Sequence, residues 1–171
     1  MISPIINIDD VQIHGLDPET SNKSMAPDAY DVRWGEIASR IGARKLGYNL
    51  TVVAPGKRNC PFHSHRNDEE MFFILEGTGE LRYGERRLPV KPGDIIACPP
   101  GGPQTAHQII NTGTAQMRYL AISTMADVEV CEYPDSGKFG AFASGTQETS
   151  GMARFRHIGK SLDARDYWEG E

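Results

Sequence analysis

The chain has 171 residues, of which 39% are hydrophobic and 24% charged, a balance that fits one folded domain and excludes a disordered or membrane-embedded class. Its formal net charge of −5, with no concentrated basic stripe, argues against a nucleic-acid partner. No stretch approaches the roughly 20 apolar residues of a membrane helix. The start, Met1 to Asp10, has no basic leader region and its apolar run is broken by Pro4 and Asn7, so a cytoplasmic location is expected.

Residues 1–44 read as an N-terminal extension. Its β-branched start predicts a strand, and Gly15 to Tyr30, with Pro18 and Pro27 and no sustained period, predicts a loop. Asp31 to Gly42 sets Trp34, Ile37 and Ile41 three and four residues apart, compatible with a short helix, but Gly35 leaves a strand open.

From Lys45 the chain changes to short apolar runs separated by Gly, Pro, Asn and Asp, the rhythm of an all-β domain. Strands are predicted at 47–54, 70–75, 79–83, 86–90, 94–98, 106–111, 117–124 and 128–133, with turns such as Pro92-Gly93 and Asn111-Thr112-Gly113 between them. About eight strands and no convincing long helix point to a closed barrel or jelly roll over residues 45–135. The run Glu70 to Leu75 is apolar at both alternating sets of positions after its first residue, which predicts a strand buried on both faces with a carboxylate at its head.

Residues 136–171 form a tail. Gly140 to Gly151 is small and polar and predicts a mobile stretch, whereas the aromatics around Phe155 and around Tyr167-Trp168 predict a segment that packs back on the barrel or on a partner. Such a tail would serve as a lid over the barrel mouth, as a dimer strap, or simply as a docked end.

The three cysteines, Cys60, Cys98 and Cys131, are odd in number and show no CxxC, so neither a disulfide framework nor a thiolate zinc site is indicated. They read as small buried hydrophobes, with Cys60, three residues before His63, able to approach whatever that histidine serves.

The chemistry concentrates at Pro61-Phe62-His63-Ser64-His65 and Glu69-Glu70. Side chains two apart on a strand share a face, so His63 and His65 point together and Ser64 points away. Imidazole and carboxylate are ligands for borderline or hard divalent ions. On its own, such a pair is also common on solvated strands.

Larger spacings bring a resemblance. Gly56, then His63-Ser64-His65, Glu70 and Gly77 resemble the first motif of the cupin superfamily, G(x)5HxH(x)3-4E(x)6G, with one extra residue between Gly56 and His63. Gly93, Pro99, Gly101, His107 and Asn111 resemble the second motif, G(x)5PxG(x)2H(x)3N, with three extra residues, Gly102-Pro103-Gln104, before the histidine. The resemblance implies a cupin jelly-roll β-barrel and a metal site of His63, His65, Glu70 and His107, with Gln104 a second candidate for the last position. It favours Glu70 over Glu69. His14 and His157 fall outside both motifs and read as surface or capping residues.

Three imidazoles and a carboxylate would saturate a tetrahedral zinc but leave open positions on a six-coordinate ion; the cofactor expected is a divalent ion (Fe, Mn, Ni, Co or Zn). By the same resemblance the chain is expected to be a single-domain, metal-dependent enzyme of the isomerase, oxygenase or decarboxylase class, acting on a small anionic or carbonyl substrate such as a sugar phosphate or organic acid. A non-catalytic binder of metal or a small molecule is the alternative, and a homodimer is expected. The catalytic residues themselves are not named by the sequence. Arg82, Arg86, Arg87, Lys91 and Arg118 lie within or beside strands, where they either face an anionic substrate or form a solvated outer face.

Overall fold

The structure, a computed structural model, describes residues 2–15, 28–31, 33–144, 153–160 and 164–171. Its strands are β1 (His14–Gly15), β2 (Arg33–Glu36), β3 (Leu46–Val53), β4 (Ser64–His65), β5 (Glu70–Glu76), β6 (Gly79–Tyr83), β7 (Arg86–Val90), β8 (Ile95–Cys98), β9 (His107–Ile110), β10 (Met117–Thr124), β11 (Val128–Tyr133), β12 (Lys138–Ser144) and β13 (Ala153–Lys160). One short helix, α1 (Ala38–Ile41), follows β2. All strand pairings are antiparallel.

Three sheets make the jelly-roll barrel. One runs β1-β2-β3-β10-β5-β8, the second β13-β12-β11-β4, and the third β7-β6-β9. Strand β10 is central to the first sheet, paired along its length with β3 and over most of it with β5. Its alternation shows which way the barrel faces. Met117, Tyr119 and Ala121 point inward with Phe72, Ile74, Val53 and Ile109, whereas Arg118, Leu120 and Ile122 point out.

The outer face of this sheet is not all solvent. Val11, Ile37 and Leu50 are buried there in a second apolar cluster, joined by Ile6, Ile8, Ile41, Tyr48, Leu75 and Leu120. The N-terminal extension therefore folds as a cover for the outside of the barrel. Its first part is a 3-10 turn at Ile8–Asp10 rather than the predicted strand, because the isoleucines gain more by packing on the sheet face than by pairing at its edge. Trp34 and Ile41 fall in different elements: Arg33–Glu36 pairs with β3, and Gly42, at φ +81°, ends the helix that follows. The predicted loop at Gly15 to Tyr30 lies mostly outside the described residues.

Two further expectations are corrected. Strand β5 is buried on one face only: Phe72 and Ile74 are in the core, but Met71 and Phe73 are 41% and 37% exposed. Along β5 the outer cluster under the extension includes only Leu75, so Met71 and Phe73 on that face meet solvent. The second correction concerns Gly140 to Gly151, whose first residues belong to β12, in register with β11 on one side and β13 on the other. Small residues at Gly140, Ala141 and Ala143 extend the sheet here; the remainder of that stretch lies outside the described residues. The tail thus returns along the molecule's own second sheet as β13, but Tyr167 and Trp168, expected to pack back, are 82% and 72% exposed.

Gly77 has a clear structural reason. It turns the chain between β5 and β6 at φ +80°, and a Cβ there would stand 2.8 Å from the Gln116 carbonyl oxygen. Among the described residues, no helix is long and apolar enough to cross a membrane.

Candidate metal centre

Each histidine of the cluster is delivered by a different piece of backbone geometry. His65 lies in β4, which pairs with β11 so that His65 opposes Cys131. His63 precedes that strand and bridges to His107 at the start of β9, linking the second and third sheets. Ser64, as alternation requires, points the other way and is buried. Glu70 heads β5 on the same inward parity as Phe72 and Ile74.

The structure brings His63, His65, Glu70 and His107 together, one ligand atom from each lying within 4.8 Å of all the others. The Nε2 atoms converge on Glu70 Oε2, at 2.8 Å for His107, 3.3 Å for His65 and 3.6 Å for His63. The far ring nitrogens face outward to acceptors. His63 Nδ1–H donates to the Pro61 carbonyl (2.8 Å) and His107 Nδ1–H to the Thr105 carbonyl (3.2 Å). That leaves the Nε2 lone pairs inward, the orientation that metal-bound imidazoles take when an outer partner holds the other nitrogen.

Electrostatics mark the cluster as a cation site. Burial alone would push the Glu70 carboxyl up, but the imidazoles of His107, His63 and His65 outweigh it and hold Glu70 well below the usual carboxylate range. For His63, burial works against the charged ring, yet the neighbouring Cys60 sulfur and then the Glu70 carboxylate raise it well above the usual imidazole value. His65 Nε2 is buried and makes no hydrogen bond of its own. A ring nitrogen with no proton partner, aimed at a carboxylate oxygen, is the place a divalent ion would occupy. The donor set of nitrogens and oxygen therefore fits the group that the fold implies.

The remaining candidates fall elsewhere. Gln104 is exposed on the turn between β8 and β9 that the extra residues form, where Thr105 N–H donates to Gly102 O (3.0 Å). Glu69 N–H is held by Thr124 Oγ1 (2.9 Å), outside the cluster. His14 is exposed in β1, and His157 is exposed in β13 beside Phe139. Asn111, fully buried, serves the backbone: its Nδ2 donates to the carbonyls of Val53 and Ala115, both at 2.9 Å, and its Oδ1 accepts from Gly113 N–H (3.0 Å).

Residues 49–123 match the family model described as Cupin domain. The chain carries a cupin domain. The cupin's fold is shared with a sugar phosphate isomerase of Silicibacter pomeroyi, at a TM-score of 0.73 and 21% identity over 97% of this chain and 98% of the other. A candidate sugar phosphate isomerase of Acidithiobacillus ferrooxidans matches with a TM-score of 0.69 and 26% identity over 81% of each chain. In sequence, the cupin is 32% identical over 70 residues to an oxalate-binding protein of Thermotoga maritima, a match covering 41% of this chain and 54% of that protein. The cupin thus spans about half the length of that relative.

Beside the cluster opens a cavity of about 240 Å³, lined by Trp34, Asn49, Thr51, Asn59, Cys60 and Tyr119, with His63, Glu70, Phe72 and Ala121 completing it. Of these, only His63, Glu70 and Cys60 carry a sequence signal. Tyr119 is placed there by the inward parity of β10, where it packs with Phe72 and Ile74 of β5. Burial, then the charges at Cys60 and Glu70, push the Tyr119 hydroxyl well above its ordinary range, so it stays a donor. Asn59 Oδ1 is buried without a hydrogen-bond partner.

The cysteines divide. Cys98 and Cys131 are buried, but Cys60 is half-buried on the cavity wall, its sulfur 3.8 Å from His63 Nδ1, so it is not the core hydrophobe expected. The basic residues face elsewhere. Arg82 forms a two-pronged pair with Asp135 (2.7 and 2.8 Å) and lies over Phe62, Arg87 pairs with Glu80, Arg118 with Glu76 (2.6 Å), and Arg86 lies by the Tyr83 ring. Lys91 is exposed, and among the described residues no lysine or arginine lines the cavity.

Proposed function

We propose that the chain is a metal-dependent cupin enzyme that acts on a small carbonyl compound or organic acid held in the cavity beside His63 and Glu70. The observation that carries this reading is the convergence of three imidazole Nε2 atoms on Glu70 Oε2 at the wall of a cavity rather than inside a closed core. His63, His65, Glu70 and His107 would hold one divalent ion, which when bound supplies a Lewis acid able to polarise a carbonyl or carboxylate oxygen.

The chain's own residues support the rest of the reading. At about 30 Å³ per water, 240 Å³ has room for about eight waters, the scale of a small acid or a short sugar and not of a polymer. Asn59 offers an unmet acceptor, Tyr119 a donor, and Trp34 and Phe72 apolar faces for carbon. With no cation in the lining among the described residues, an unphosphorylated carbonyl or hydroxy compound, or a carboxylate whose charge meets the metal, is favoured over a sugar phosphate. The candidate isomerase that is 26% identical supports isomerisation as the reaction class to test first.

A second reading, a non-catalytic binder of a small dicarboxylate, is favoured by the 32% identity to an oxalate-binding protein. One experiment separates them. Protein loaded with Mn²⁺ is titrated with oxalate, pyruvate and unphosphorylated aldoses while water-proton relaxation is followed, and each mixture is then examined by NMR in D2O for deuterium incorporation or new products. Relaxation that falls on titration together with turnover supports the enzyme. Binding without turnover supports the second reading, and an ion that never contacts water overturns the open site.

A further inference from the structure

His65 differs from its two neighbours in what faces its outer nitrogen. Where His63 and His107 each find a backbone carbonyl, His65 Nδ1 finds the Cys131 sulfur at 3.3 Å and, beyond it, Glu129 Oε1 at 3.8 Å. A carbonyl can only accept, so it holds the proton on Nδ1. A thiol can also donate, and a donating thiol would drive the ring proton to Nε2, closing the lone pair that the site needs.

Glu129, on β11, is a buried carboxylate at 6% exposure. It accepts main-chain N–H groups from three consecutive residues, Arg66 (2.8 Å), Asn67 (3.2 Å) and Asp68 (2.6 Å). These are the residues that carry the chain from His65 to Glu70. The same stretch is pinned again at the end of β10 and just beyond it, where Glu69 N–H donates to Thr124 Oγ1 and Ala126 N–H to Asp68 Oδ1 (2.8 Å). Charge-assisted bonds of this kind are short and roughly twice as strong as neutral ones.

We propose that Glu129 is a positioning residue with two tasks: its negative charge keeps the His65 proton on Nδ1 against the Cys131 thiol, and its backbone hydrogen bonds set the path from His65 to Glu70. The proposal rests on the reading of His65 as a metal ligand. Neither task requires Glu129 to touch a substrate.

The test uses E129Q, which keeps an oxygen for the backbone N–H groups and removes the charge, alongside C131A and T124V, the last loosening the same loop without facing His65. Two readouts are taken: ring ¹⁵N shifts of His65 in metal-free protein, and the Kd for Mn²⁺ or Zn²⁺. Wild type and C131A are expected to show Nδ1–H. E129Q is expected to shift toward Nε2–H and to bind metal about 10- to 100-fold more weakly, the range for losing an outer partner of a ligating histidine, with T124V near wild type in both. A wild-type tautomer in E129Q, or an equal loss in T124V, overturns the proposal. Should wild type bind no metal, the metal reading fails, while the ¹⁵N comparison still decides whether Glu129 sets the tautomer. If E129Q does not fold, wild type decides alone: a His65 ring that is mainly Nδ1–H supports the proposal, and one that is mainly Nε2–H overturns it.

Discussion

His63 and His107 exchange both main-chain hydrogen bonds, His63 N–H to His107 O at 3.2 Å and His107 N–H to His63 O at 2.7 Å. This one pair joins two sheets and fixes two of the four proposed ligands at once, so metal binding and barrel closure share the same backbone contact.

Removing the metal is therefore expected to cost stability. At a free ion concentration 100-fold above Kd, binding contributes about 2.7 kcal/mol, which for a chain of this size is a fall in Tm of about 5–10 °C on adding a chelator. In H107A the chelator is expected to change nothing, and the purified variant to carry no stoichiometric metal by elemental analysis. Equal metal content in both proteins would remove His107 from the site.

The metal-free protein should have an unusual pH profile. His63 is raised above 6.5, so its contribution is complete below that value and disappears as pH rises through its folded value. Glu70 is lowered below 4.5, so its contribution is present above that value and disappears as pH falls through its folded value. Thermal melts of metal-free protein should peak between these two, near pH 5–6. Adding metal should move the optimum upward, since protons compete for the imidazoles. A metal-free optimum at pH 8 would contradict this.

Asn111→Ala should be structural in its effect. It strands the carbonyls of Val53 and Ala115 and the Gly113 N–H, all of which the side chain now satisfies. A loss of about 3 kcal/mol in urea unfolding is expected, with metal stoichiometry unchanged in the protein that remains folded.

The cysteines should separate under alkylation at pH 8. Burial, then Glu70 and Cys60, push the Cys98 thiol up to about 12, and Cys131 is held equally high by burial and Glu129. Cys60 alone stands on a cavity wall. Peptide mass analysis after a short treatment with iodoacetamide should find the label at Cys60, and a ligand that fills the cavity should protect it. Label on Cys98 in folded protein would show that the core opens.

Much of the site was legible because its information is local. HxH on an extended segment puts His63 and His65 on one side whatever the fold, and the spacing to Glu70 and the turn at Gly77 places the carboxylate on the next strand. Distant His107 entered through resemblance, since no local rule pairs it with His63. The extra residues before it, Gly102-Pro103-Gln104, fold as a turn with Pro103 and Gln104 exposed and still deliver His107 to the start of β9.

What escaped the sequence depends on faces and edges. Met71 and Phe73 are as apolar as Phe72 and Ile74, so the pattern could not say which pair meets solvent; the incomplete cover from the N-terminal extension decides it. Gly140, Ala141 and Ala143 have weak strand preference on their own, and they pair because β11 and β13 offer hydrogen-bonding edges on both sides. The sequence by itself determined a β-rich domain and the shared face of His63 and His65, because alternation is a property of a short stretch of chain, while Glu70 and His107 entered through their spacing in the family's motifs. Only the tertiary structure decided that the basic residues turn away from the cavity, that Trp34, Asn59 and Tyr119 line it, and that Glu129 stands behind His65. Those relations arise where separate strands meet, and nothing in the order of residues alone states who will stand opposite whom.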